Sequence, residues 1–105
     1  MTTATTRPLD LDNALRLLAP LRWEMGTRNF RHSEAAAELT FQVGTGPSTT
    51  WVSLTVNASD LFDVEFFKAR AGKRTTLGRL DDVFGAELAV AMLGEWCAIC
   101  SRRGW

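Results

Sequence analysis

The residues most able to do chemistry sit near the end of the chain, in Cys97-Ala98-Ile99-Cys100. A zinc site needs four ligands, and the sequence offers these two thiols and one imidazole, His32, so a carboxylate or a second subunit would have to close it. A redox pair normally opens a helix, where the macrodipole lowers a thiol pKa, whereas this pair ends one. The cysteines therefore read as packing residues. His32 lies between Arg31 and Ser33, neither of which can orient it as a general base. Asp63 and Glu65 alternate onto one strand face, roughly 7 Å apart. They lack a nucleophile or third partner, so they read as a solvated face. Gly44-Thr45-Gly46-Pro47 has neither the lysine nor the following helix of a phosphate loop. No catalytic residue, metal site or cofactor is expected.

The charges are more suggestive. Lys68, Arg70, Lys73, Arg74 and Arg79 fall in a stretch, 66–80, that contains no acid, and Arg28 and Arg31 can add to it. Trp51 and Phe67 are expected opposite the core residues of their strands. A basic sheet bearing aromatics can stack single-stranded nucleic acid. Against this, twelve basic residues balance twelve acidic ones, so the global charge does not favour nucleic acid or an anionic membrane. Four tryptophans and ten arginines suit a protein–protein interface, where both residue types are enriched. Trp51, Phe67, Arg70, Arg74 and Trp96 are the expected partner contacts.

The elements that must position these residues centre on 51–70. Val52, Leu54 and Val56 alternate with polar residues, as do Phe62, Val64 and Phe66 after Asn57-Ala58-Ser59-Asp60. That pattern is two antiparallel strands with six large apolar side chains on one face. Ala35, Ala37, Leu39, Phe41 and Val43 alternate likewise over 34–43, and 74–80 reads as a last short strand. Leu21-Arg22-Trp23-Glu24-Met25 alternates too, as a short strand or extended link that Gly26 breaks, while 29–33 fits a strand or a loop. Asp10 or Asp12 caps a first helix carrying Leu11, Ala14, Leu15 and Leu18, which Pro20 stops. Asp81 or Asp82 is expected to cap a second helix, apolar on most sides, with Phe84, Leu88, Ala91 and Met92 on its main face and Val83, Val90 and Cys97 widening it.

The segments Met25-Gly26-Thr27-Arg28-Asn29-Phe30 and Leu39-Thr40-Phe41 carry a resemblance. Leu54 through Asp60-Leu61-Phe62-Asp63-Val64-Glu65-Phe66-Phe67-Lys68 continues it, as does Asp82-Val83-Phe84-Gly85-Ala86-Glu87-Leu88. Together they resemble a group of small, mostly uncharacterised proteins encoded by bacteriophages, prophages and plasmids. The likeness spans roughly residues 10 to 95. It implies a genomic context rather than a mechanism. Phe stands twice where the group has Tyr, which removes any functional phenol, and residues 96–100 depart from the pattern.

At 105 residues with 46% apolar content, the chain suits one globular domain. Residues 1–8 are expected to form a flexible tail and 9–105 a single α+β domain. Its expected parts are a short N-terminal helix, an antiparallel sheet of about four strands and a C-terminal helix packed on one face. The start of the chain has no signal-peptide pattern and no stretch is apolar enough for a membrane helix, so a bacterial host's cytoplasm is the expected location. The expected role is a non-enzymatic accessory protein of a phage or mobile element that binds a host protein. Inhibition of a bacterial defence system, in the manner of anti-CRISPR proteins, is one concrete form. A homodimer is a further expected partnership, and single-stranded nucleic acid bound by the basic hairpin is the alternative.

Overall fold

A computed structural model describes residues 6–7, 10–35, 37–44, 50–57, 59–70 and 72–103. It is an α+β fold. Five strands form an antiparallel meander in the spatial order β2 (Arg28–Ser33), β3 (Glu38–Val43), β4 (Thr50–Asn57), β5 (Phe62–Arg70) and β6 (Lys73–Val83). A two-residue strand, β1 (Thr6–Arg7), pairs with Val56 and Asn57 of β4, so part of the expected tail is tied to the sheet. The rest of that tail lies outside the described residues, as do 45–49 of the expected loop.

The central pairing follows from the alternation in sequence. Val52, Leu54 and Val56 oppose Phe66, Val64 and Phe62, and β3 adds Leu39 and Phe41 against Leu54 and Val52. All of these side chains, with Val43, are at most 8% exposed. Each contributes about 1.5–3 kcal/mol through burial, which makes this face the main stabilising surface. The fifth strand, beyond the four expected, is β2. Glu34 and Ala35 form a turn rather than the start of β3, which lets β2 fold back beside it.

Three helices cover that apolar face. Helix α1 (Leu11–Leu18) is capped by Asp10, whose carboxylate accepts the Asn13 N–H, and it buries Ala14 and Leu18. Helix α2 (Leu21–Met25) corrects the expected strand or link. Apolar residues at 21 and 25 satisfy an i, i+4 helical spacing as well as a period of two, so five residues cannot separate the two conformations. Pro20, at φ −62°, starts the helix, and Gly26, at φ 64°, ends it in the left-handed conformation. Leu21 and Met25 are each 2% exposed.

Helix α3 (Leu88–Arg103) starts later than expected, after a 3₁₀ turn at Gly85–Glu87. Asp81 and Asp82 do not cap it, because β6 runs on through them to Val83, which pairs with Phe62. The buried stripe of α3 is Leu88, Met92, Trp96 and Ile99. Phe84 and Val90, expected on the apolar surface of this helix, are 60% and 78% exposed. With the helix packed on one side only, Val90 and Cys97 fall on its outer face. None of the described helices is long and apolar enough to cross a membrane.

Candidate binding face

The described helices pack on one side of the sheet, and among the described residues the other side is left open. Strict alternation delivers to it Glu38, Thr40 and Gln42 from β3, Trp51, Ser53 and Thr55 from β4, and Asp63, Glu65 and Phe67 from β5. Trp51 and Phe67 are direct cross-strand partners, with Gln42 and Thr76 on either side of them.

Two arginines close over this aromatic pair from opposite edges. The Arg31 guanidinium, from β2, lies 5.2 Å from the centroid of the Trp51 ring. That of Arg74, from β6, lies 4.2 Å from the Phe67 ring. Arg74 then reaches across to β3, where it donates to both carboxylate oxygens of Glu38 at 3.2 and 3.3 Å. Glu38 also accepts from Ser53 Oγ. Burial alone would raise the Glu38 pKa, but the hydrogen bonds from Arg74 and Ser53 and the Arg74 charge outweigh it and hold the carboxyl below its ordinary 4.5. The same bond raises Arg74. Phe67 is corrected as a partner contact, being only 3% exposed under its arginine and outside the main core, while Trp51 stays half-buried.

Three carboxylates border a shallow hollow of about 190 Å³ beside this layer, with Arg79 opposite them. Each has structural partners. Asp63 accepts the Asn57 side-chain amide and the Asp82 backbone N–H, both at 3.0 Å, which ties the β4–β5 turn to the end of β6. Glu65 accepts from Thr76 Oγ1, and Glu38 is held as described above. Asp63 and Glu65 thus brace the sheet.

The basic hairpin does not assemble into one patch. Arg74 and Arg79 face the open side, and their charges are matched by Glu38 and by Asp81, the latter at 2.9 Å. Alternation turns Lys68 and Lys73 the other way, and Arg70 pairs with Lys73 at the hairpin end. Arg28 donates to the carbonyl oxygens of Gly26 and Gly44. Arg31 lies on the half-buried Trp51 ring, and the side chain of Arg70 lies outside the described residues.

Trp96 is corrected as a partner contact. It is 8% exposed and stacks on Phe66 with ring centroids 6.2 Å apart. Its ring also lies so close to Gly44 that an added Cβ would meet it at 3.0 Å. Cys97 is exposed and Cys100 half-buried; burial, with Cys97 next in effect, pushes the Cys100 thiol up and makes it a poorer nucleophile. His32 is exposed on β2. Among the described residues, no three of His, Cys, Asp and Glu are grouped so as to hold a metal ion.

The Glu38–Arg74 bridge had no signal in the sequence, since 36 residues separate its ends. Comparison of the chain with protein-family models, curated proteins and solved structures found no match.

Proposed function

We propose that the chain is a non-enzymatic binding module for another protein and that the open sheet face is its contact surface. The observation that carries this reading is the Arg31–Trp51 pair, a half-buried indole under a guanidinium on a face no helix covers. Trp and Arg dominate interface energetics because each combines a large apolar area with a directional polar group. The neighbouring Glu38–Arg74 bridge and the buried Phe67 hold that surface rigid before a partner arrives, which lowers the entropy lost on association. The resemblance to phage and mobile-element proteins suggests a host protein in the bacterial cytoplasm as the partner. Inhibition of a defence system would be one such role.

The test is capture from bacterial lysate on the tagged protein at low and at about 0.5 M salt, with and without nuclease, since salt weakens phosphate contacts. A protein retained in stoichiometric amount by the native chain and lost with Trp51→Ala supports the reading. Retention of nucleic acid alone, lost with salt and with Lys73→Glu plus Arg74→Glu, would replace it with the hairpin alternative. That alternative draws less support, because Arg74 and Arg79 are already matched by carboxylates and the Phe67 ring has no free face for a base.

A further inference from the structure

Strand β2 is an outer edge of the sheet, paired with β3 on one side only among the described residues. Five of its six residues are exposed. In its regular part, Arg31 to Ser33, alternate residues turn their backbone N–H and C=O away from β3, whereas the stretch from Arg28 to Arg31 is bulged, with Asn29 at φ 55°. The two sides of this edge differ in chemistry. On the helix side lies a hollow of about 340 Å³ formed by Leu15, Leu18 and Phe30, with Arg22 and Arg28 on its border. Leu15 and Phe30 are left 37% and 41% exposed. Arg31 stands on the open side, above Trp51.

The edge is also cationic within a neutral protein. Arg28 and Arg31 lie in β2, and no acid does. Arg28 is bonded to two carbonyl oxygens and Arg31 lies on an aromatic ring, and among the described residues no carboxylate forms an ion pair with either. The next acid along the chain, Glu34, belongs to the turn beyond the strand.

We infer that β2 accepts an extended segment of a partner protein as an added strand, with apolar and acidic side chains alternating along it. This rests on the reading of the chain as a binding module and specifies the chemistry of its partner. Backbone hydrogen bonds supply affinity in such strand addition, and pockets for alternate side chains supply selectivity. Apolar side chains of the incoming strand meet Leu15 and Phe30, and the intervening acidic ones meet Arg31. A second copy of the chain fits badly, because pairing β2 with itself brings Arg28 and Arg31 toward their own like charges. Those cations and the bulge between Arg28 and Arg31 also guard the edge against indiscriminate pairing, a barrier that an acidic strand removes.

Three short capped peptides test this on the isotope-labelled full chain by resonance shifts and amide hydrogen exchange. One alternates valine and glutamate, one has lysine for glutamate, and one is the glutamate peptide N-methylated at alternate backbone nitrogens. The glutamate peptide is expected to shift β2 and Leu15 and to slow exchange of outward-facing β2 amides. The lysine and N-methylated peptides, and the glutamate peptide on Arg31→Glu plus His32→Glu, are expected to bind about tenfold more weakly or worse. Circular dichroism checks that this double variant is folded. Shifts centred away from β2, no binding, or equal binding of the N-methylated peptide would overturn the inference. So would tighter binding of a thymidine oligonucleotide at the same residues. None of these outcomes touches the Trp51-dependent capture from lysate, so failure of the edge and failure of the binding-module reading are told apart.

Discussion

Trp96 is core and Trp51 half-buried because of what lies across from each. Trp96 sits on the inner stripe of α3 against Phe66 and Gly44, whereas Trp51 sits on the sheet face that no helix covers. Trp96→Ala is expected to cost about 3–5 kcal/mol in urea unfolding, as for large aromatic truncations in a core. Trp51→Ala is expected to cost much less and to be felt in partner capture instead. Glu38 belongs to this scale too. Its carboxyl is held below 4.5 in the folded chain, so its stabilisation is fully present above that value and is lost as pH falls through the lowered folded value. The urea midpoint difference between native chain and Glu38→Gln should therefore be largest near neutral pH and shrink below pH 4.5. It should stay within about 1 kcal/mol, because the Arg74 side chain is 46% exposed and solvent screens the pair.

At the scale of elements, one residue joins three of them. Gly44, at φ 82°, donates its N–H to the Met25 carbonyl at 2.6 Å and accepts from Arg28, while the Trp96 ring lies over its Cα. Gly44→Ala adds a left-handed strain and an aromatic clash at once, with an expected loss of about 1–3 kcal/mol in chemical denaturation. The outer face of α3 predicts the contrary. Val90 is 78% exposed, so Val90→Gln should change stability by no more than about 0.5 kcal/mol. Strands β3, β4 and β5 were legible in the sequence because a period of two over six or more residues admits no other regular structure. Helix α2 was not, since Leu21 and Met25 satisfy both periods and only their docking into the core selects one. The beginning of α3 was misread because Asp81 and Asp82 have cap-forming side chains. Asp82 instead donates its N–H to Asp63 and accepts from Asn57, so the end of the β5–β6 pair uses it.

For the whole molecule, net charge is zero but its distribution is not uniform. Carboxylates gather around the hollow of Glu38, Asp63 and Glu65, and the two arginines of β2 have no carboxylate partner among the described residues. Association through that edge should weaken as salt rises and gain in on-rate as salt falls, measurable by stopped-flow mixing with the acidic peptide. The amino-acid pattern by itself determined the α+β class, the two-faced sheet, the first helix and the membership of its apolar layer. These depend on periodicity and on Pro, Gly and Asp at element ends, all of which are local. Only the tertiary structure decided that Arg74 pairs with Glu38, that Trp96 is core, and that β2 stands as an arginine-bearing edge beside an apolar hollow. Each of these depends on which residues distant in the chain share a face, and a one-dimensional pattern carries no information on how strands are ordered or where a helix comes to rest.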